Sequence, residues 1–207
     1  MKWIFFVGAI LFSCAKQPRL PLDSKYNVTS LKNDSTWFAT GKALRIIPKG
    51  KKAATIKTFN IQIMTDIEYP GHFGSGISKS PYVTGCLDGL DCIPTQRLHI
   101  YNIPLKKRKF KISKLDKGRK INSEKTAFWL LANGSGVNKQ YEYEGRKPGW
   151  IRVTNYDKKL QTIEGTFSIS LDNKKMSYNT TLPNVPEVTN FREGLFRVKL
   201  IDILLKE

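Results

Sequence analysis

A two-residue alternation of apolar and polar side chains runs through most of this chain and constrains its fold most strongly. The clearest example is Ile163–Leu171, in which Phe167 and Ile169 alternate with threonine and serine. This is the period of a β-strand with one buried face, because an amphipathic helix repeats every 3.6 residues instead. Gly165 falls on the apolar face, which predicts a bulge or a close backbone contact at that position.

Further segments of this kind, separated by turn-rich spacers, predict strands along the rest of the chain. Residues 150–154 and 160–171 are expected to form a hairpin around the polar turn 155–159. The other predicted strands are Trp37 to Ile47, Phe59 to Ile67, Arg97 to Ile103, Phe110 to Ser113, Ala127 to Ala132 and Leu195 to Ile201, with Leu200 to Leu205 also as strand. Many short strands without a long amphipathic helix predict an all-β fold, a single antiparallel β-sandwich or flattened barrel.

The first sixteen residues have the pattern of a bacterial lipoprotein signal. Lys2 precedes an apolar run that ends at Ser13 and Cys14. The run is about ten residues long, whereas a membrane-spanning helix needs roughly 20. Cleavage after Ser13 would leave Cys14 as the lipidated N-terminal residue, with a diacylglycerol on its thiol and acyl chains such as palmitate in the membrane. The alternative is a plain secretory peptide, because Phe12 is bulky for its position.

This signal divides the chain into three predicted parts. Residues 1–13 are the signal peptide, residues 14–35 the lipidated cysteine and tether, and residues 36–207 a single β-rich domain. The longest irregular stretch, residues 69–94, is predicted to be an insert loop. Loops of this length are often functional, so it is the first place to look for a site.

The formal net charge is +18, from 35 Lys and Arg against 17 Asp and Glu. Such an excess favours contact with anionic surfaces without specifying a fold. Export to the envelope argues against nucleic acid as the partner and favours anionic lipid, glycan or an envelope protein. A lysine-rich source proteome would explain the same composition.

The positive charge is concentrated in residues 106–120, which contain nine cations and one acid. Lys107, Lys109 and Lys111 alternate with Arg108 and two apolar residues, which is the pattern of a half-buried strand with its lysines exposed. The candidate residues for binding an anionic surface are Lys106, Lys107, Arg108, Lys109 and Lys111. A solvated strand face has the same pattern.

Cys86 and Cys92 are predicted to form a disulfide, because nearby cysteines in an oxidising compartment usually pair. Cys14 carries the lipid and is not available for pairing. The alternative is a zinc site that includes His72 and His99, but their spacing does not match that of closed zinc sites. We therefore predict no metal and no cofactor.

No catalytic motif is present, neither a nucleophile elbow nor a zinc-protease helix, so the chain is predicted not to be an enzyme. The leading hypothesis is a non-catalytic envelope lipoprotein that serves as a binding or scaffold module. One alternative is a lipid or small-ligand carrier with an apolar cavity lined by Phe128, Trp150 or Phe196. The other is an envelope-polymer hydrolase with clustered acids in a groove. Trp150 is expected to point outward, because Ile151 and Val153 occupy the opposite face of its strand.

Several segments resemble a family of uncharacterised Bacteroidota lipoproteins, whose members carry a Trp-x-Ala element, a Gly-x-Ile-x-Ile-Thr strand and a Gly-Thr-Phe-Ser-Phe strand. The matching segments are Trp37-Phe38-Ala39, Gly149 to Thr154, Ile163 to Ile169 and Val188 to Phe196, with Phe110-Lys111-Ile112 as a short aromatic-x-aliphatic strand. The resemblance spans Trp37 to Val198 and does not include the insert 69–94.

The resemblance implies a β-rich envelope lipoprotein of unknown activity, and it transfers no catalytic or binding residue. Many lipoproteins of that phylum reach the cell surface through an acidic cluster after the cysteine. Residues 15–18 contain no acid, which favours the periplasmic face of the outer membrane.

Overall fold

The computed structural model describes residues 18–69, 83–87, 92–117, 125–133, 136–174 and 185–205. Within these ranges ten strands form one mostly antiparallel sheet, and there is no α-helix. The strands are β1 (Val28–Lys32), β2 (Ser35–Ile47), β3 (Thr58–Thr65), β4 (Gln96–Pro104), β5 (Lys109–Lys111), β6 (Ala127–Asn133), β7 (Gly136–Glu142), β8 (Gly149–Asp157), β9 (Thr162–Asn173) and β10 (Val188–Leu204). The predicted all-β class is confirmed. None of the described residues belongs to a helix long and apolar enough to cross a membrane.

Eight of the strands close into a ring in the order β1-β2-β3-β4-β6-β7-β9-β10. β1 lies between β10 and β2, and beyond the end of β1 these two strands pair directly and in parallel, from Leu200↔Ala43 to Leu204↔Ile47. β7 and β9 pair at only two positions, so the ring is not quite a barrel. We call the end where β2 and β10 finish the lower end, and the end where β2 begins the upper end.

β8 and β5 extend from the ring as a two-stranded ribbon. β8 pairs along the edge of β9 from Gly149↔Ile169 to Asp157↔Thr162, which confirms the predicted hairpin. β5 is the outer strand of the ribbon and pairs with β8. The ribbon therefore presents one face to the core and the other to solvent.

The core lies inside the ring of strands. It is formed by the residues of each strand that point inward. Its aromatic centre is Phe191, whose ring lies 5.0 Å from that of Trp37 and 5.7 Å from that of Trp129, both edge-on. Edge-to-face contacts of this kind stabilise aromatic pairs beyond their burial. The largest fully buried side chains include Trp37, Tyr141, Phe59, Phe167, Phe191 and Phe196.

Gly165 makes the close contact that its position in the sequence predicts. A Cβ atom there would lie 2.7 Å from Cε1 of Phe196, closer than side chains approach one another. The neighbouring strand β8 bulges opposite this point, between Val153 and Asn155. The glycine therefore leaves room for the aromatic side chain of Phe196 beside the bulge in β8.

Two strands are absent from the sequence prediction, and β3 and β5 end two residues earlier than predicted. β1 lies within the segment assigned to the tether, yet its Val28 is fully buried between β2 and β10. β7 is mostly polar in sequence, and only Tyr141 and Glu142 of its residues are buried. The predicted strand Phe110 to Ser113 is wrong beyond Lys111, because the chain enters a 3₁₀ turn that buries Ile112 in the core.

Candidate anionic-surface site

The β5–β8 ribbon positions two of the predicted lysines on one outer face. In the register of the ribbon Phe110 pairs with Ile151, and both belong to the inner face, where Ile151 is fully buried. Because neighbouring residues of a strand point to opposite faces, Lys109 and Lys111 point outward. Both are exposed, and Lys111 pairs directly with Trp150.

Trp150 points outward, as its sequence context predicts, and is half-buried. The Lys109 ammonium lies over its indole ring, with Nζ 4.2 Å from the ring centroid. A cation–π contact at an exposed site is worth about 0.5–1 kcal/mol, enough to bias the lysine towards one orientation. The site therefore combines a positioned cation with an aromatic surface.

Lys106, Lys107 and Arg108 lie in the bend between β4 and β5, and all three are exposed. The Arg108 carbonyl accepts a hydrogen bond from the Val153 amide at 3.0 Å, which fixes the bend beside β8. The expectation that Lys107 lies in the strand, with Arg108 on its inner face, is wrong because β5 begins at Lys109. Arg108 is therefore a fifth exposed cation of the site.

None of these five cations forms an ion pair with another described residue. Other cations of the molecule are neutralised locally: Arg45 binds Asp202 at 2.7 Å and Arg197 binds Glu164 at 2.8 Å. Lys114 and Lys117 extend the basic segment and are also exposed, whereas its residues 118–120 lie outside the described ranges. The charge of the site is thus free to act on a partner.

Further lysines, remote in sequence, lie beside this site at the lower end of the ring. The Leu105 amide donates to the Lys57 carbonyl at 2.8 Å, so the bend 105–108 lies against the loop 48–57. The Leu200 amide donates to the Gln161 carbonyl at 2.7 Å, which places the turn 158–161 against β10. The exposed cations of these loops include Lys51, Lys52, Lys57, Lys106, Lys107, Arg108, Lys158 and Lys159, and we call these eight residues the basic end.

The described part of the insert is held against the sheet by Asp66. Its carboxylate accepts hydrogen bonds from the amides of Thr84 and Gly85 and from the Thr84 hydroxyl, at 2.7–2.8 Å. Cys86 and Cys92 follow with Cα atoms 5.1 Å apart, the separation of a disulfide-bonded pair, and the structure joins their sulfur atoms. Residues 70–82 and 88–91 of the insert lie outside the described ranges.

His99, part of the alternative zinc set, lies on the outer face of β4. Its ring stacks on Phe128 with centroids 4.6 Å apart. Burial, together with the charge of Arg97, lowers the pKa of His99 to about 4, so the ring is neutral at physiological pH. Among the described residues no three His, Cys, Asp or Glu side chains cluster as metal ligands, and His72 lies outside those ranges.

The aromatic residues proposed to line a carrier cavity do not share one. Phe196 belongs to the packed core, whereas Phe128 packs on His99 and Trp150 lies under Lys109. Phe196 also lines an indentation with an empty volume of about 170 Å³, including open solvent, which is formed where residues 18–20 lie on β8, β9 and β10. Neither Phe128 nor Trp150 lines it. The described interior is filled by side chains.

Glu142, the most buried acid among the described residues, is held in an ion-pair cluster. One of its carboxylate oxygens lies 2.9 Å from Nζ of Lys174 and the other 3.4 Å from Nζ of Lys125. Gln140 donates a further hydrogen bond to it at 2.6 Å. Such a carboxylate stabilises the junction of β7 with its neighbours.

No protein-family model, no curated protein and no solved structure matches this chain. The resemblance to the Bacteroidota lipoprotein family stays a prediction.

Proposed function

We propose that this protein is a non-catalytic envelope module that binds anionic surfaces through five exposed cations of the β5–β8 ribbon and of the bend that precedes it. In this proposal an acylated Cys14 anchors the protein to the outer membrane on its periplasmic face. The observation that carries it is the exposed Lys109–Trp150 pair among cations without a carboxylate partner in the described structure.

The spacing of these cations supports a shared binding patch. Side chains on one face of a strand are about 7 Å apart along it, within the Debye length of about 8 Å at physiological salt. Lys109 and Lys111 therefore act on the same patch of negative charge. Each cation near an anionic membrane surface is worth about 1 kcal/mol.

A vesicle-binding assay tests the proposal. Changing Lys107, Lys109 and Lys111 together to Gln should weaken binding of the acyl-free protein (residues 15–207) to vesicles of anionic phospholipid. The expected loss is about ten- to a hundredfold in affinity, or roughly 1–3 kcal/mol, and it should shrink as salt is added. Cosedimentation measures the affinity, and circular dichroism confirms that the fold is intact.

The matched control removes the same charge elsewhere, with Lys25, Lys42 and Lys139 changed to Gln. This control should bind nearly as well as the wild type if the ribbon is the binding surface. Equal losses of vesicle affinity in both triple variants would show that binding depends on net charge alone and not on the ribbon. Unchanged binding by the ribbon variant at low salt would refute the proposal.

A further inference from the structure

The lower end of the ring carries exposed apolar side chains among its lysines. Leu204 is 72% exposed and Leu160 is 66% exposed, while Ile201 and Ile203 are each 37% exposed. Single apolar residues are common on protein surfaces, but four at the same end of the molecule favour an interaction surface. We call these four residues the apolar strip.

The strip is exposed because β10 continues past its neighbour β9. Their pairing ends at Lys199↔Thr162, and from Leu200 to Leu204 β10 pairs with β2 alone. Leu200 is still buried, but from Ile201 to Leu204 every residue is exposed, so side chains on both faces of this short segment meet solvent. Asp202, the one acid in it, is neutralised by two hydrogen bonds from Arg45 at 2.7 and 2.9 Å.

Lysine-bearing loops flank the strip on both sides. On one side the Leu205 amide donates to the Ile47 carbonyl at 3.1 Å, which brings Lys51 and Lys52 close to the end of β10. On the other side is the turn that contains Lys158, Lys159 and Leu160. Protein surfaces that insert at the boundary between lipid headgroups and acyl chains combine apolar side chains with surrounding cations.

The first described residues after the proposed lipid anchor, Pro18 to Pro21, are held on the sheet. Arg197 donates hydrogen bonds to the carbonyls of Leu20 at 2.6 Å and Pro21 at 3.0 Å, which fixes the chain to the outer face of β10. Pro18 lies near Thr154 of β8, which is about 10 Å along the strand from the lower end. Cys14 is four residues before Pro18, so it lies no more than about 14 Å away.

We infer that the lower end of the ring docks onto the same bilayer that holds the acyl chains, with the apolar strip at the headgroup boundary and the basic end on anionic headgroups. This inference rests on the proposed lipid anchor and names the anionic partner as the membrane surface itself. The upper end of the ring then points away from the bilayer.

A depth measurement on the acylated protein tests this orientation. Leu160, Leu204 and, as the control, Val137 are changed one at a time to cysteine and labelled with an environment-sensitive dye. Val137 is also apolar and exposed, at 36%, but lies on β7 at the upper end. Each protein is reconstituted in vesicles of phosphatidylethanolamine and phosphatidylglycerol, with and without nitroxide-labelled lipid.

We expect the dye at positions 160 and 204 to shift its emission to the blue and to be quenched by the nitroxide lipid. The dye at position 137 should keep the spectrum it has in water. Equal, water-like spectra at all three positions would overturn the inference. A blue shift at 160 and 204 that appears without vesicles and grows with protein concentration would also overturn it, because the strip would then join two copies of the chain.

A second pair of variants keeps the inference separate from the proposed function. Changing Leu160 and Leu204 together to Asp should lower vesicle binding of the acyl-free protein by about tenfold or more, whereas Val137→Asp should not. Mass analysis of the acylated protein establishes whether Cys14 carries lipid. If it does, and the lysine variant loses binding while the Leu160 and Leu204 variant does not, the proposed function stands and this inference fails.

Discussion

Two lysine–tryptophan pairs of this protein make similar contacts in opposite surroundings. In the first, Nζ of Lys32 lies 4.9 Å from the ring centroid of Trp129 at the upper end of the ring. In the second, Nζ of Lys109 lies 4.2 Å from the ring centroid of Trp150 on the outer face of the ribbon. The comparison shows how solvent, rather than contact geometry, decides what such a pair contributes.

In the inner pair a partly buried lysine lies over a tryptophan of the packed core. Trp129 is 2% exposed, and the Lys32 ammonium donates a hydrogen bond to Oε1 of Gln96 at 3.1 Å. The same oxygen accepts a hydrogen bond from Nε1 of Trp37. No carboxylate of the described residues lies within ion-pair distance of Lys32, and burial lowers its pKa to about 8. The charge of Lys32 is therefore partly desolvated, which is unfavourable, and it lies among groups that hold the upper end of the ring of strands together.

The outer pair keeps its contact with water. Lys109 is exposed, and the other cations of the ribbon surround it without an ion pair among the described residues. Its charge therefore stays hydrated, with little desolvation penalty, and can act on a partner. The inner pair is expected to contribute to stability and the outer pair to binding.

The largest expected difference follows from removing each tryptophan. Trp129→Ala leaves a cavity in the core and should lower the free energy of unfolding by about 3–5 kcal/mol. Trp150→Ala removes a half-buried ring and one cation–π contact, so about 1 kcal/mol is expected. Urea unfolding followed by circular dichroism measures both. Equal losses would show that the ribbon is packed as tightly as the ring.

The second difference is a pH dependence carried by Lys32. Because the pKa of Lys32 falls from 10.5 in the unfolded chain to about 8 in the fold, folding penalises its charged form. The penalty is full below pH 8 and is relieved as the pH rises towards 10.5. Over that range the wild type should gain about 1–3 kcal/mol of stability relative to Lys32→Met. Parallel pH profiles for the two proteins would contradict the burial of this charge.

The smallest expected effect on stability comes from the outer lysine. Lys109→Met should change the free energy of unfolding by no more than about 1 kcal/mol. The same variant should bind anionic vesicles roughly fivefold more weakly, which corresponds to the loss of one cation near the surface. Lys42→Met, which removes an exposed lysine on β2, serves as the control. A larger loss of stability than of binding for Lys109→Met would assign the outer pair to the fold.

Most strands could be predicted because each has one buried and one solvated face. In β9, for example, apolar residues occupy alternate positions from Phe167 to Leu171, and the structure buries all of them. β7 could not be found this way, because only its last two residues are buried. β1 was missed for another reason: it is five residues long and lies in the segment 14–35, which was assigned to the lipidated cysteine and its tether.

The candidate site was predictable only where its cations are contiguous in the chain. The run from Lys106 to Lys111 is visible in the sequence, and the structure exposes all five of its cations. The lysines at 51, 52 and 57 lie beside it because the Leu105 amide bonds to the Lys57 carbonyl. Those at 158 and 159 lie on a turn that the Leu200 amide holds against β10. No local sequence pattern predicts that these lysines lie close together.

The alternation of side chains determined the β class, and the residues up to Cys14 predicted the anchor, because both signals are local. Closure of the ring depended on the parallel pairing of β10 with β2, whose residues lie about 157 positions apart in the chain. The same holds for the lysines. Lys32 and Lys109 are equivalent as residues, but Lys32 is partly buried because pairing of β1 with β2 and β10 places it beside the buried Trp129. Local periodicity assigns a face to each residue of a strand, but the pairing of distant strands decides whether that face meets solvent or the core.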